Sequence, residues 1–411
     1  MATENNNKTL NVPNLRFPEF SGEWTKTTLG KIGETFNGLT GKSGSDFGQG
    51  SPYITYKSIF DNSKIDLSRV EYVTITDAER KKQTQNEVQY GDIFFTTSSE
   101  TPDEVGMTSV LLDEVKDCYL NSFCFGYRLN SITDVLPEYM RFYLRSNTIR
   151  RRLFVLAQGS TRFNISKGEV MGLTIKLPGT AEQRKIAQLL TMIEERIATQ
   201  IKIIEKFESL IRGLITDVNS GRIAQCKSVY LRDLLIEQHE KNTNNYEVCS
   251  VSVSQGVINQ IDYLGRSFAA KEVLHYSVVK CGDIVYTKSP TGEFPYGIVK
   301  RSDITKPVAV SPLYGVYRPI NDYVGRYLHL YFKSPINAKN YLHKLIQKGA
   351  KNTINITNQH FLDNKILIPE KGWLDKIVKF AAAIEMKIAT ENKVLQTLQQ
   401  QKDFLLSKMF I

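Results

Sequence analysis

The chain has 411 residues, 41% of them hydrophobic and 23% charged, with a net charge of +10 and a pI near 9.1. This is the composition of an ordinary globular protein large enough for two or more domains. No apolar run reaches the roughly 18 residues that a membrane-spanning helix needs.

The first residues, Met1 to Lys8, are polar and Asn-rich and lack a secretory core. Five cysteines (Cys118, Cys124, Cys226, Cys249, Cys281) fall at irregular spacing with no C-x-x-C pair. They read as reduced thiols of a cytoplasmic protein. The basic balance points to a polyanionic partner such as nucleic acid, because Lys and Arg that neutralise phosphates release counterions.

In chain order, Tyr53–Tyr56, Asp92–Thr96 and Cys118–Leu120 are short, aromatic and β-branched, and predict strands. Pro137–Arg152 carries apolar residues at helical spacing behind a proline suited to a helix start. Leu173–Pro178 predicts a strand closed by proline. A long helix follows, from about Ala181 to Ile215. Its apolar positions alternate by four and three: Ile186, Leu190, Ile193, Ile197, Gln200, Ile204, Phe207, Ile211 and Leu214, with only Gln200 polar. Such a heptad seam requires a partner helix.

The chain then repeats itself. Val88–Ser98 matches Val279–Ser289 at six of 11 positions, with an offset of 191. The same offset aligns Asn164–Ser166 with Asn355–Thr357, Pro178 with Pro369, and Ile193–Ile204 with Ile384–Leu395. An offset of 188 aligns Tyr139–Ser146 with Tyr327–Ser334, so a short indel lies between the matches. A second seam recurs at Ile377, Ala381, Ile384, Ile388, Glu391, Leu395, Leu398, Lys402 and Leu405.

The fold class is therefore α+β. Residues 1–177 form a first mixed unit with an N-terminal segment outside the repeat, and residues 178–219 a central spacer helix. Residues 220–368 form a second mixed unit, and residues 369–411 a C-terminal spacer helix. The two helices are expected to pair as an antiparallel coiled coil with a pseudo-two-fold axis. At 1.5 Å per residue, each helix reaches about 50 Å, more than the roughly 34 Å of one DNA turn. Gln200 and Glu391 sit midway along their seams and are expected to meet and fix the register, with solvent-facing side chains as the competing reading.

Two loops per copy carry the residue types that read base edges and hold phosphates. In the first copy they hold Thr97, Ser98, Ser99 and Thr101, then Ser160, Thr161 and Arg162. In the second they hold Lys288, Ser289 and Thr291, then Lys351 and Asn352. Equivalent places with different side chains suit two readers of different sequences. Ordinary polar surface loops are the competing reading.

Lys57 is a further candidate, and so is Lys42 in Gly38–Ser43. That segment looks like a phosphate-binding loop but has Phe36 where the motif needs its first glycine, so ATP binding is not expected. All five histidines (His239, His275, His329, His343, His360) lie in the second copy, without metal-ligand spacing. Neither a catalytic centre nor a metal site is expected. A duplicated nuclease or helicase accessory protein and a coiled-coil scaffold are the alternatives.

The whole pattern resembles the specificity subunit of type I restriction–modification systems. The resemblance rests on Val12–Phe20 with Trp24 and Leu29, on Gly91-Asp92-Ile93 and Gly282-Asp283-Ile284, and on Leu177–Ala187, similar to the family's Pro-x-x-x-Glu-Gln-x-x-Ile-Ala helix start. The second copy departs from that start, with Trp373–Ile377 in place of Glu182–Ile186. The resemblance implies two target-recognition domains reading the halves of a split site in double-stranded DNA. Two methyltransferase subunits would methylate adenine, and restriction/translocase subunits would cut. S-adenosylmethionine, ATP and Mg would be held by those partners and no cofactor by this chain.

Overall fold

The structure, a computed structural model, describes residues 11–83, 86–261, 272–348 and 354–411. Backbone contacts divide the chain into two units, one comprising residues up to Gln200 with Val394–Ile411, the other Ile201–Lys393.

In the first unit the central sheet has four antiparallel strands: β1 (Gly33–Asn37), β2 (Ile93–Thr96), β3 (Thr108–Val110) and β4 (Cys124–Leu129). Their order is β1-β4-β2-β3. Strand β2 is buried along its length, which explains its continuous apolar run. Gly91, at φ 85°, turns the chain into it. Asp92 then accepts from the backbone N–H of Gln89 at 2.9 Å and from Arg128 Nε at 2.8 Å. That carboxylate is buried, and the guanidinium of β4 supplies its counter-charge.

Pro137–Arg152 is two helices rather than the one its spacing predicts: α1 (Pro137–Tyr143) and α2 (Asn147–Leu156). The break has a local cause, because the Ser146 hydroxyl caps the second helix by accepting from Ile149 N–H. The predicted strand at Tyr53–Tyr56 likewise ends at Ile54, because Thr55 caps a helix over Tyr56–Asp61.

The second unit repeats this frame. Strands β5 (Leu235–Glu237), β6 (Ile284–Thr287), β7 (Ile298–Arg301) and β8 (Gly315–Pro319) run in the order β5-β8-β6-β7, the same topology as the first sheet. Asp283 accepts from Lys280 N–H at 2.9 Å and from Arg318 Nε at 3.1 Å, as Asp92 does in the first copy. Helices α4 (Asp322–Lys333) and α5 (Pro335–His343) again meet at a capping serine, Ser334. Thr25–Thr28 pairs with Thr174–Leu177, and Cys226–Tyr230 with Lys365–Pro369, each pair antiparallel just before a long helix.

The long helices are α3 (Thr180–Asn219) and α6 (Lys371–Lys408). Every seam position read from the sequence is buried or half-buried in both. Each unit holds half of each helix. In the first, Ile186 and Leu190 share a core with Tyr139, Tyr143, Met409 and Phe410, and Lys402 donates to Glu194 at 2.7 Å. Early residues of one helix thus meet late residues of the other, so the paired halves are antiparallel. In the second unit, Ile211, Ile215 and Val218 share a core with Leu374, Ile377 and Ala381. Gln200 is buried in the first unit, and Glu391 is half-buried in the second, where it pairs with Lys387 at 2.6 Å.

The N-terminal segment explains the departure at the second helix start. Arg16 donates from Nε and Nη2 to the two oxygens of Glu182, each at 2.8 Å, and Leu15 N–H donates to the Lys408 carbonyl. Gln183 accepts from Leu136 N–H and donates to the Asp134 and Pro178 carbonyls. The second copy has no such N-terminal arm. Trp373 stands where Glu182 would, and Leu374, in place of Gln183, is buried in the apolar core.

Two outcomes follow. Phe410 packs on Tyr139 and Tyr143 with centroids 5.7 Å away from each. Phe410→Ala is expected to destabilise the first unit by about 3–5 kcal/mol in urea unfolding, and an unchanged midpoint would deny the tail its role in that core. In the second unit, His329 is half-buried, and its Nδ1 accepts from Arg301 N–H at 3.2 Å. Burial, with Lys300, Lys333, Arg301 and Arg326 around it, pushes its pKa down to about 3. The folded imidazole stays neutral where the unfolded one, near its ordinary value of about 6.5, takes a proton. Stability present above that value is therefore lost as pH falls toward 3, and His329→Gln should flatten the dependence in acid titrations of the urea midpoint.

Candidate nucleic-acid interface

The two candidate loops of the first unit meet. Ser98–Ser99 pairs antiparallel with Phe163–Asn164, and Ile165 N–H donates to the Thr97 carbonyl at 2.9 Å. The return after α2 is tight because Gly159 takes φ 137°, and a Cβ there would lie 2.1 Å from the Arg162 carbonyl oxygen. The paired loops open onto a cleft of about 690 Å³ lined by Ser98, Ser99, Thr161 and Arg162 among the predicted residues.

Four further residues line this cleft: Tyr56, Phe60, Glu100 and Glu104. The Tyr56 and Phe60 rings stack at 5.9 Å, as their spacing of one helical turn allows. Tyr56 donates its hydroxyl to the Ser98 carbonyl at 2.7 Å, and burial raises its pKa above the ordinary tyrosine value. Thr97 is half-buried and donates to the Phe123 carbonyl at 2.7 Å. Ser99 donates to Glu104 at 2.9 Å. Thr101, Ser160, Thr161 and Arg162 are exposed, and Arg162 forms no ion pair among the described residues. The cleft thus offers hydroxyls, a guanidinium and carboxylates on a backbone held by a strand pair, which is the equipment for reading polar edges.

Lys42 does not line this cleft. Its side chain is 7% exposed, and its ammonium donates to Glu79 at 2.7 Å, holding that carboxylate down near a pKa of about 2. Lys57 is exposed on the helix that carries Tyr56 and Phe60.

In the second unit, Lys288 and Ser289 leave β6 as Thr97 and Ser98 leave β2. Lys288 is half-buried, and burial lowers its ammonium pKa. Thr291 and Phe294 exchange backbone hydrogen bonds, at 3.1 and 2.9 Å, in a tight turn. Lys351 and Asn352 lie outside the described residues. Among the described residues no group of three or more His, Cys, Asp or Glu could hold a metal ion, and no helix is long and apolar enough to cross a membrane.

The sequence reading missed Tyr56, Phe60 and Glu104. The first two had a signal, an aromatic pair four residues apart beside Lys57. Glu104 had none, because nothing local reveals that it faces the second loop.

The fold is similar to that of a solved type I restriction–modification S subunit. The type I restriction–modification S subunit from M. genitalium superposes with a TM-score of 0.57, covering 97% of this chain and 99% of that one at 14% identity. A chain from a structural study of complex assembly and conformational transition in the type I restriction–modification system gives a TM-score of 0.52, covering 93% and 96% at 15% identity. In sequence, the chain matches the type I restriction modification DNA specificity domain over residues 21–209. It is 25% identical over 224 residues to the putative type I restriction enzyme MjaX specificity subunit of Methanocaldococcus jannaschii, covering 54% of this chain and 51% of that protein. The match therefore spans about half the length of the curated relative.

Arg162→Ala removes a cation that no carboxylate compensates among the described residues. Its effect on folding should stay within about 0.5 kcal/mol, as for surface substitutions generally, and an unshifted thermal midpoint would check this.

Proposed function

We propose that this chain is the DNA-recognition subunit of a type I restriction–modification complex. Its two units read the halves of a split site and direct adenine methylation or restriction by partner subunits. The observation that carries the reading is the meeting of two separate polar loops in one cleft, on a frame that the chain repeats while changing the loop side chains. A reader of two half-sequences needs such an arrangement, with a shared scaffold for position and different side chains for discrimination. The net charge of +10 suits a duplex partner.

The partners under this proposal are double-stranded DNA, two methyltransferase subunits and restriction/translocase subunits. S-adenosylmethionine, ATP and Mg belong to those subunits, and the chain itself contributes recognition without catalysis. The long helices set the non-specific gap, and Gln200 and Glu391 serve their register.

DNA binding by the chain reconstituted with its methyltransferase subunits tests the proposal. Wild type should bind a split site with strong salt dependence. Arg162→Ala should weaken binding by about 5- to 150-fold, the equivalent of about 1–3 kcal/mol. A uniform loss across sequences, with the salt slope reduced by about one, assigns Arg162 to a phosphate, and a loss at one base pair assigns it to direct readout. Undiminished affinity would remove Arg162 from the interface, and wild-type binding without sequence preference would overturn the proposal.

A further inference from the structure

We propose that Glu104 determines specificity in the first unit by accepting a hydrogen bond from the 4-amino group of a cytosine; the inference rests on the DNA-reading function proposed above. A carboxylate facing a duplex is repelled by the phosphates. It is tolerated where it accepts from a base amino group. In the major groove only cytosine N4 and adenine N6 offer one. Adenine places its N7 acceptor beside that amino group, where it opposes a carboxylate, whereas the neighbouring edge of cytosine carries no acceptor.

The geometry around Glu104 suits a fixed reader. It is half-buried in the cleft, and its Oε2 accepts from the Ser99 hydroxyl at 2.9 Å. Ser99 is itself held in the strand pair with Phe163. The Glu104 N–H donates to the Thr101 carbonyl at 3.3 Å, which sets the residue on a turn. Its Oε1 has no hydrogen-bond partner among the described residues. One oxygen orients the group while the other remains available, as preorganised recognition requires. Arg162, on the same cleft, supplies the donor that a guanine needs. Glu100 also lines the cleft but is exposed and has no oriented partner among the described residues.

The internal repeat separates this role from a structural one. At the offset of 191, Thr96 falls on Thr287 and Gly106 on Gly297, and both glycines take positive φ, 66° and 104°. Between these shared points Glu104 falls on Pro295 and Ser99 on Pro290. The frame is thus built in the second unit without the Glu104–Ser99 pair, so the pair belongs to what distinguishes the copies.

The experiment is genome-wide mapping of methylated adenine in cells carrying the partner subunits with wild type, Glu104→Gln, Glu104→Ala or Glu100→Gln. Glutamine keeps the shape and can still accept from Ser99, so its effect reports charge and acceptor strength rather than folding. Wild type should yield a split motif with a C·G pair in one half. Glu104→Gln and Glu104→Ala should relax discrimination at that pair by about 5- to 150-fold, leaving the other half unchanged, and Glu100→Gln should change nothing. Unaltered discrimination in both Glu104 variants, or changes in both halves, would overturn the inference while leaving DNA reading intact. Absence of any split motif for wild type would instead contradict the underlying function.

Discussion

The structure depends on one constraint: neither long helix can bury its seam alone. Each presents a mostly apolar stripe, interrupted at Gln200 in one helix and at Glu391 and Lys402 in the other, and each globular unit is closed by half of one helix and half of the other. The first unit is completed by the last residues of the chain, where Met409 and Phe410 enter the core beneath Tyr139 and Tyr143. The N-terminal arm adds to the same unit through the fork of Arg16 on Glu182, a bidentate pair with one buried partner. Folding of the first unit thus couples residues from both ends of the chain. Such long-range closure favours slow folding.

On this foundation the duplication separates two tasks. The parts that hold shape recur: the four-stranded order, the buried Asp at the start of the central strand with its Arg partner, and the serine between paired helices. The parts that face the cleft change, as Glu104 gives way to Pro295 and Thr97 to Lys288. A scaffold whose energetics do not involve its variable loops can alter what it reads without losing its fold.

Much of this was legible in the sequence, and the reasons are physical. Heptad spacing reports burial directly, so the inward faces of both helices followed from Ile and Leu positions alone. Repeat matching exposed the shared frame because Gly91 and Asp92 are fixed by a positive φ and a buried carboxylate. The break at Ser146 was hidden because the apolar period continues across it, and only the cap interrupts the helix. The cleft was half legible. Its polar loops were visible as composition, but Tyr56, Phe60 and Glu104 enter it through the pairing of Ser98–Ser99 with Phe163–Asn164, about 65 residues away in sequence. Lys42 shows the opposite case, a basic residue in a suggestive motif whose charge is engaged by Glu79 on the helix over Asp77–Gln83.

The most direct measurement is a comparison of methylated adenine across the host genome with this gene intact and deleted, in cells that express the partner methyltransferase. The account predicts that deletion abolishes methylation at one bipartite motif, two short sequences separated by a fixed gap, and leaves other motifs untouched. Persistence of every methylated motif after deletion would contradict it.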